Sequence, residues 1–197
     1  MSQAFFDPEK FKVLPLWAQV LCAVRSARRY VLALPADVPA DVREELMGAC
    51  DACERCVRAG SRGGDDGAAM ARGARVSGGL SVTRGAEVVR WMGDAALAAN
   101  DAMDFGVAEA ACANSAMTAM KLAGTHAKLV GMTPLQFAIC GGSDANQLAF
   151  VCEEMRVGRY GALVSGVFER LTPVYAPERV LETDLHPMHD DPTGGAR

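Results

Sequence analysis

The stretch from Thr83 to Lys128 constrains this chain more than any other, because it is dense in alanine and almost free of strand formers. Alanine has the highest intrinsic helix propensity, so the stretch predicts two helices or one long interrupted one. Ala98, Ala102, Gly106 and Ala110 recur every four residues, a row of small side chains that lets another helix approach closely. Val88, Trp91, Met92, Leu97, Met117 and Leu122 supply the surrounding volume. The ridge is expected at the centre of the fold, with Gly106 marking a weak point or kink.

The flanking sequence extends the helical reading. Asp7 followed by Pro8 is an N-cap with proline at the first helical position. Apolar residues from Val13 to Leu32 then recur at helical spacing, with Pro15 early and Arg25, Arg28 and Arg29 on another face. Leu34 to Pro39 carries two prolines and breaks the pattern. A second helix is predicted from about Pro39 to Arg58.

Further on, Thr133-Pro134-Leu135-Gln136 reads as a capping box opening a short, buried helix over Leu135–Cys140. Gly141-Gly142 is expected to end it, Ser143 to open the next helix as far as Gly158, and Tyr160–Leu171 to form a last one. The result is an all-α, single-domain bundle of about six or seven helices. The helical domain is expected over residues 1–172, with an exposed Gly-rich loop at about 60–80 and a flexible acidic, proline-containing tail over 173–197.

Composition narrows the setting. A chain of 197 residues that is 50% hydrophobic can bury one sizeable core. Its net charge of −4 gives no long-range attraction for nucleic acid or an anionic membrane, and neither is an expected partner. Every apolar stretch is interrupted by a charged or amide residue before it reaches the roughly 20 residues of a membrane span. The first residues lack the charged start and apolar core of a secretory signal. Together with an odd count of seven cysteines, this predicts a cytoplasmic protein with reduced thiols.

Cys50, Cys53 and Cys56, at two-residue gaps, are the one spacing that suggests metal or redox chemistry. Iron–sulfur runs use such gaps, but as a loop around the cluster. Here the intervening Asp51-Ala52 and Glu54-Arg55 favour helix, and a fourth ligand for a cluster, zinc or copper has to come from Cys22, Cys112, Cys140 or Cys152. The alternative is packing. Val42, Leu46, Ala49, Cys53 and Cys56 follow the alternating four-and-three spacing of a helical seam, and buried cysteine behaves as a small hydrophobe. That reading leaves Cys50 or Cys56, whichever lies off the seam, as the reactive thiol.

The remaining inventory is poor in catalytic groups. His186 and His189 fall in the expected tail, and His126 follows a helix end where it suits the macrodipole. The Gly-rich stretch lacks the lysine of a phosphate-binding loop, and no Glu-x-x-His pair exists for a di-iron bundle. Glu87, Asp94 and Asp101 share a helix face and read as a solvated acidic row. Asn100, Asp104, Asn114 and Thr118 are polar in an apolar neighbourhood and could line a small-molecule pocket in a sensor or enzyme.

These observations favour a non-enzymatic helical module with no cofactor. It is expected to bind another protein or form a homo-oligomer, as a regulator, adaptor or inhibitor. The alternatives are a cysteine-based metal or redox protein and the small-molecule binder.

Overall fold

The computed structural model describes residues 7–59, 73, 75, 79–99, 105–159, 161–163 and 165–174. They form six α-helices: α1 (Pro8–Lys12), α2 (Leu16–Leu32), α3 (Ala40–Ala59), α4 (Leu80–Ala99), α5 (Phe105–Thr125) and α6 (Pro134–Glu154). Short 3-10 turns cover Ala127–Val130 and Phe168–Arg170. There is no strand among the described residues, so the all-α bundle expected from the sequence is the fold.

The helix starts follow local chemistry. Asp7 caps α1 by accepting from the amides of Glu9 and Lys10. Thr133 and Gln136 form a reciprocal capping box on α6. Pro15 separates α1 from α2, and Gln19 links them by donating from Nε2 to the Leu14 carbonyl at 2.9 Å. After α2, Arg43 of α3 donates to the carbonyls of Val31, Leu34 and Pro35, holding the α2–α3 turn in place.

The bundle is organised around α2, against which α3, α4, α5 and α6 all pack. Residues 18–27 and 29–31 of α2 are buried, so this helix is enclosed on nearly every side. On α5, Cys112, Ala116, Ala119 and Ala123 form a fully buried stripe at four-three-four spacing, which lets α5 lie close to α2 and α4. This stripe replaces the ridge expected at Ala98, Ala102, Gly106 and Ala110: Ala98 is half-buried and Ala110 exposed. Ala102 lies outside the described residues, and Gly106 lies within α5.

Four other expectations are corrected. α6 is one continuous helix through Gly141 and Gly142. Both glycines are buried, and a Cβ at position 141 would sit 3.1 Å from the Met120 methyl group. The pair gives α5 its close approach rather than ending the helix. Within α6, Leu135 and Ile139 are exposed where a buried segment was expected.

Where a last helix was expected over Tyr160–Leu171, the described residues are irregular at 161–163, a turn at 165–167 and a 3-10 turn at Phe168–Arg170. α6 itself closes with Arg156 at φ 53°, where the Val157 amide reaches the Cys152 carbonyl at 2.8 Å and the Arg156 amide reaches Glu153.

Most of the Gly-rich stretch lies outside the described residues, but Gly73 and Arg75 within it are helical. Gly73 is buried against both α3 and α4: a Cβ there would meet the Ala49 Cβ at 2.6 Å and Val89 Cγ1 at 3.2 Å. At this point the stretch is packed, not an exposed linker. Residues 175–197, and with them His186, His189 and most of the expected tail, lie outside the described residues.

Candidate functional site

A helix buried on all sides is normally apolar all round, yet α2 carries Arg25 and Arg29, only 6% and 7% exposed. The sequence places both on a different face from the apolar stripe. A buried charge needs a partner, and α6 supplies one in Asp144, itself 1% exposed. Arg25 Nε donates to Asp144 Oδ1 at 2.7 Å. Arg29 grips the same carboxylate with both terminal nitrogens, one of them at 2.8 Å from Oδ1. Arg25 also donates to the Thr172 carbonyl at 2.7 Å, tying the C-terminal segment to the core.

The electrostatics of this cluster keep its thiol neighbour inert. Burial, then the Asp144 charge, push Cys22 well above the ordinary thiol range, against the pull of Arg25 and Arg29. For Arg29, burial opposes the charge, but the hydrogen bond and charge of Asp144 more than restore it, and its pKa lies above the ordinary value. A neutral thiol is a poor nucleophile.

Outward from this cluster, α2, α3 and the C-terminal segment enclose a cleft of about 340 Å³. Arg25, Arg28, Arg58 and Glu54 line it together with Leu21, Phe168, Leu171, Thr172, Pro173 and Val174. Arg28 is held by Asp51 and Glu54, each at 2.9 Å. Arg58 pairs with Glu54 at 2.8 Å and lies 3.4 Å over the centre of the Phe168 ring.

A second concave surface, about 570 Å³, runs between α5 and α6. Met117, Met120, Phe137, Ala138, Gly141 and Gly142 form its floor, with Lys121 and Thr125 among its lining residues. It adjoins the outer face of α6, where Leu135, Ile139 and Phe150 are 52%, 44% and 60% exposed. From Pro134 to Cys152 the one charged residue is Asp144, which points into the core. The solvent face of α6 therefore carries no charge over about five turns.

The cysteine triplet is placed plainly. Cys50, Cys53 and Cys56 are each at most 1% exposed and belong to the core on α3. Burial, against the opposing charge of Arg28, raises Cys50 to about 12. Neither Cys50 nor Cys56 is the exposed thiol expected from the seam. Among the described residues, no group of three or more His, Cys, Asp or Glu side chains is arranged to hold a metal ion. Cys140, on α6, is the one cysteine of seven that is not fully buried. Ellman's reagent is therefore expected to label Cys140 in the native protein and the other six only on unfolding. Labelling of the triplet as fast as Cys140 would contradict the burial.

Of the four residues expected to line a polar pocket, Asn114 and Thr118 are described. Asn114 is exposed, and the Thr118 hydroxyl donates back to the Asn114 carbonyl at 2.7 Å. Asn100 and Asp104 lie outside the described residues. Glu87 pairs with Arg84 along its own helix, Asp94 is half-buried, and Asp101 is not described. His126 sits in the turn after α5, half-buried. No helix of the described residues is long and apolar enough to cross a membrane.

No protein-family model matches the chain, and no curated protein or solved structure matches it at a significant level.

Proposed function

We propose that this protein is a non-enzymatic helical interaction module that self-associates through the outer face of α6. The observation that carries this reading is the uncharged solvent face of α6, with Leu135, Ile139 and Phe150 about half exposed or more. Between Ile139 and Phe150 the exposed polar residues, Ser143 and Asn146, are uncharged, and large apolar side chains exposed together on one helix mark a protein contact surface. Its lack of charge favours a second copy as the occupant. From Pro134 to Cys152, short of the exposed Glu153 and Glu154 at the helix end, the face meets its own copy without like-charge repulsion and offers a strongly charged partner nothing to pair with.

Two-fold pairing is the commonest symmetric arrangement, and it would bring each Phe150 and Ile139 against the same face of the second copy. As an adaptor or regulator, the module would use this contact to set its assembly state. Seven cysteines without a disulfide support a reducing, cytoplasmic setting. The net charge of −4 argues against nucleic acid as a partner.

Light scattering coupled to size exclusion tests the proposal. The wild-type protein is expected to run as a dimer at concentrations of about 10 μM or above, a Kd reached by small apolar interfaces. Ile139→Glu and Phe150→Glu, both at exposed positions, are expected to give monomers with unchanged circular dichroism. A wild-type monomer at about 100 μM, or dimers that survive both substitutions, would overturn it.

A further inference from the structure

The arginine-lined cleft carries an inference independent of α6. Arg25 and Arg29 share the single carboxylate of Asp144, while Arg28 and Arg58 are balanced by Asp51 and Glu54. One positive charge is left over. Arg28 spends both terminal nitrogens on α3 carboxylates, whereas Arg25 and Arg58 do not exhaust theirs. Arg25 uses Nε and one terminal nitrogen, and so does Arg58. The Nη1 group of each therefore has no hydrogen-bond partner among the described residues, and both residues line the cleft.

The site is built in advance. Arg25 is fixed by Asp144 and by the Thr172 carbonyl, and Arg58 by Glu54 and the Phe168 ring. A guanidinium already held in position loses little freedom on binding an oxyanion, which is the condition for useful affinity at a partly solvated site. Arg58 covers the Phe168 ring face, while Leu21, Leu171, Pro173 and Val174 give the cleft its remaining apolar lining. The cleft, about 340 Å³, lies at the small end of ligand pockets.

We propose that this cleft binds a small organic monocarboxylate, with its carboxylate on Arg25 and Arg58 and its apolar body against Leu171 and Pro173. A single negative charge balances the single excess positive one. The apolar wall selects an organic acid over inorganic phosphate, which would gain nothing from that side and would bring a second charge.

Isothermal titration of the full chain with benzoate, hexanoate and inorganic phosphate tests this. At least one of the two carboxylates is expected to bind with a Kd of about 1 mM or tighter, and phosphate at least tenfold more weakly. Arg58→Gln, at a half-exposed side chain, should leave the fold intact and weaken carboxylate binding about tenfold or more. Arg170→Gln, which removes a surface pair with Glu154, should leave it unchanged. Absence of saturable binding of both carboxylates up to about 20 mM, phosphate binding as tight as theirs, or affinity indifferent to Arg58→Gln would overturn the proposal.

Discussion

Replacing Asp144 by alanine is expected to destabilise the protein by about 3–5 kcal/mol, the largest effect of any single substitution considered. The reason is asymmetry rather than the strength of the contact. Asp144 is 1% exposed and answers two guanidiniums that are almost as deeply buried. Removing it leaves both without a counter-charge in a region water reaches poorly. For a chain of this size the loss corresponds to a fall in Tm of about 6–20 °C.

Urea unfolding with an unchanged m-value checks the prediction. Replacing Arg25, Arg29 and Asp144 together by apolar residues of similar volume should recover much of the loss, since a buried ion cluster rarely exceeds a well-packed apolar core in stability. A loss below about 1 kcal/mol for Asp144→Ala would mean that the cluster is solvated.

Two glycine-to-alanine substitutions are expected to move stability in opposite directions. At Gly73 the new methyl group would lie 2.6 Å from the Ala49 Cβ and 3.3 Å from the Glu45 carbonyl oxygen. Neither neighbour is the end of a flexible side chain, so the helices must separate, at about 1–3 kcal/mol. At Gly85, in the middle of α4, the nearest atoms are Leu46 Cδ1 at 3.5 Å, Tyr30 Cε1 at 3.6 Å and Leu34 Cδ2 at 3.8 Å. Those are ordinary contact distances. Alanine there gains helix propensity and fills space, for about 0.5–1 kcal/mol of added stability. Denaturation midpoints of the two variants, measured side by side, decide both signs. Equal effects would show that the Gly73 contact is loose.

The helical class, the α1 and α6 caps and the α2–α3 break were legible because each depends on residues a few positions apart. Asp7-Pro8, Thr133 with Gln136, and the paired prolines act locally. What was not legible depends on which faces meet. Gly141-Gly142 looks identical in sequence whether it ends a helix or admits the Met120 methyl group. Arg25, Arg28 and Arg29 are spaced like a solvent face, and only the arrival of α6 buries the first and third.

Asp144 did leave a trace, as the lone charge between Pro134 and Cys152. In a long apolar helix, a single acidic residue is better read as the partner of a buried cation than as a break in the pattern. The cysteine triplet shows the reverse. Its spacing suggested chemistry, but the seam of Leu46, Ala49, Cys53 and Cys56 was the correct guide to its burial, and Cys50 joins the same core. The cleft at Arg25 and Arg58 had no signature, because its walls come from residues 21–58 and 168–174.

The bond from Arg25 to Asp144 spans 119 positions, and that to Thr172 spans 147. On a ribosome, α2 therefore exists long before its counter-charge does. At about 5–20 residues per second, Asp144 is made some 6–24 s after Arg25. Throughout that interval the nascent chain carries two arginines on its central helix that cannot be sequestered without leaving them unpaired. The final core must close late, after α6 is made, and the last tie waits for the chain to reach Thr172.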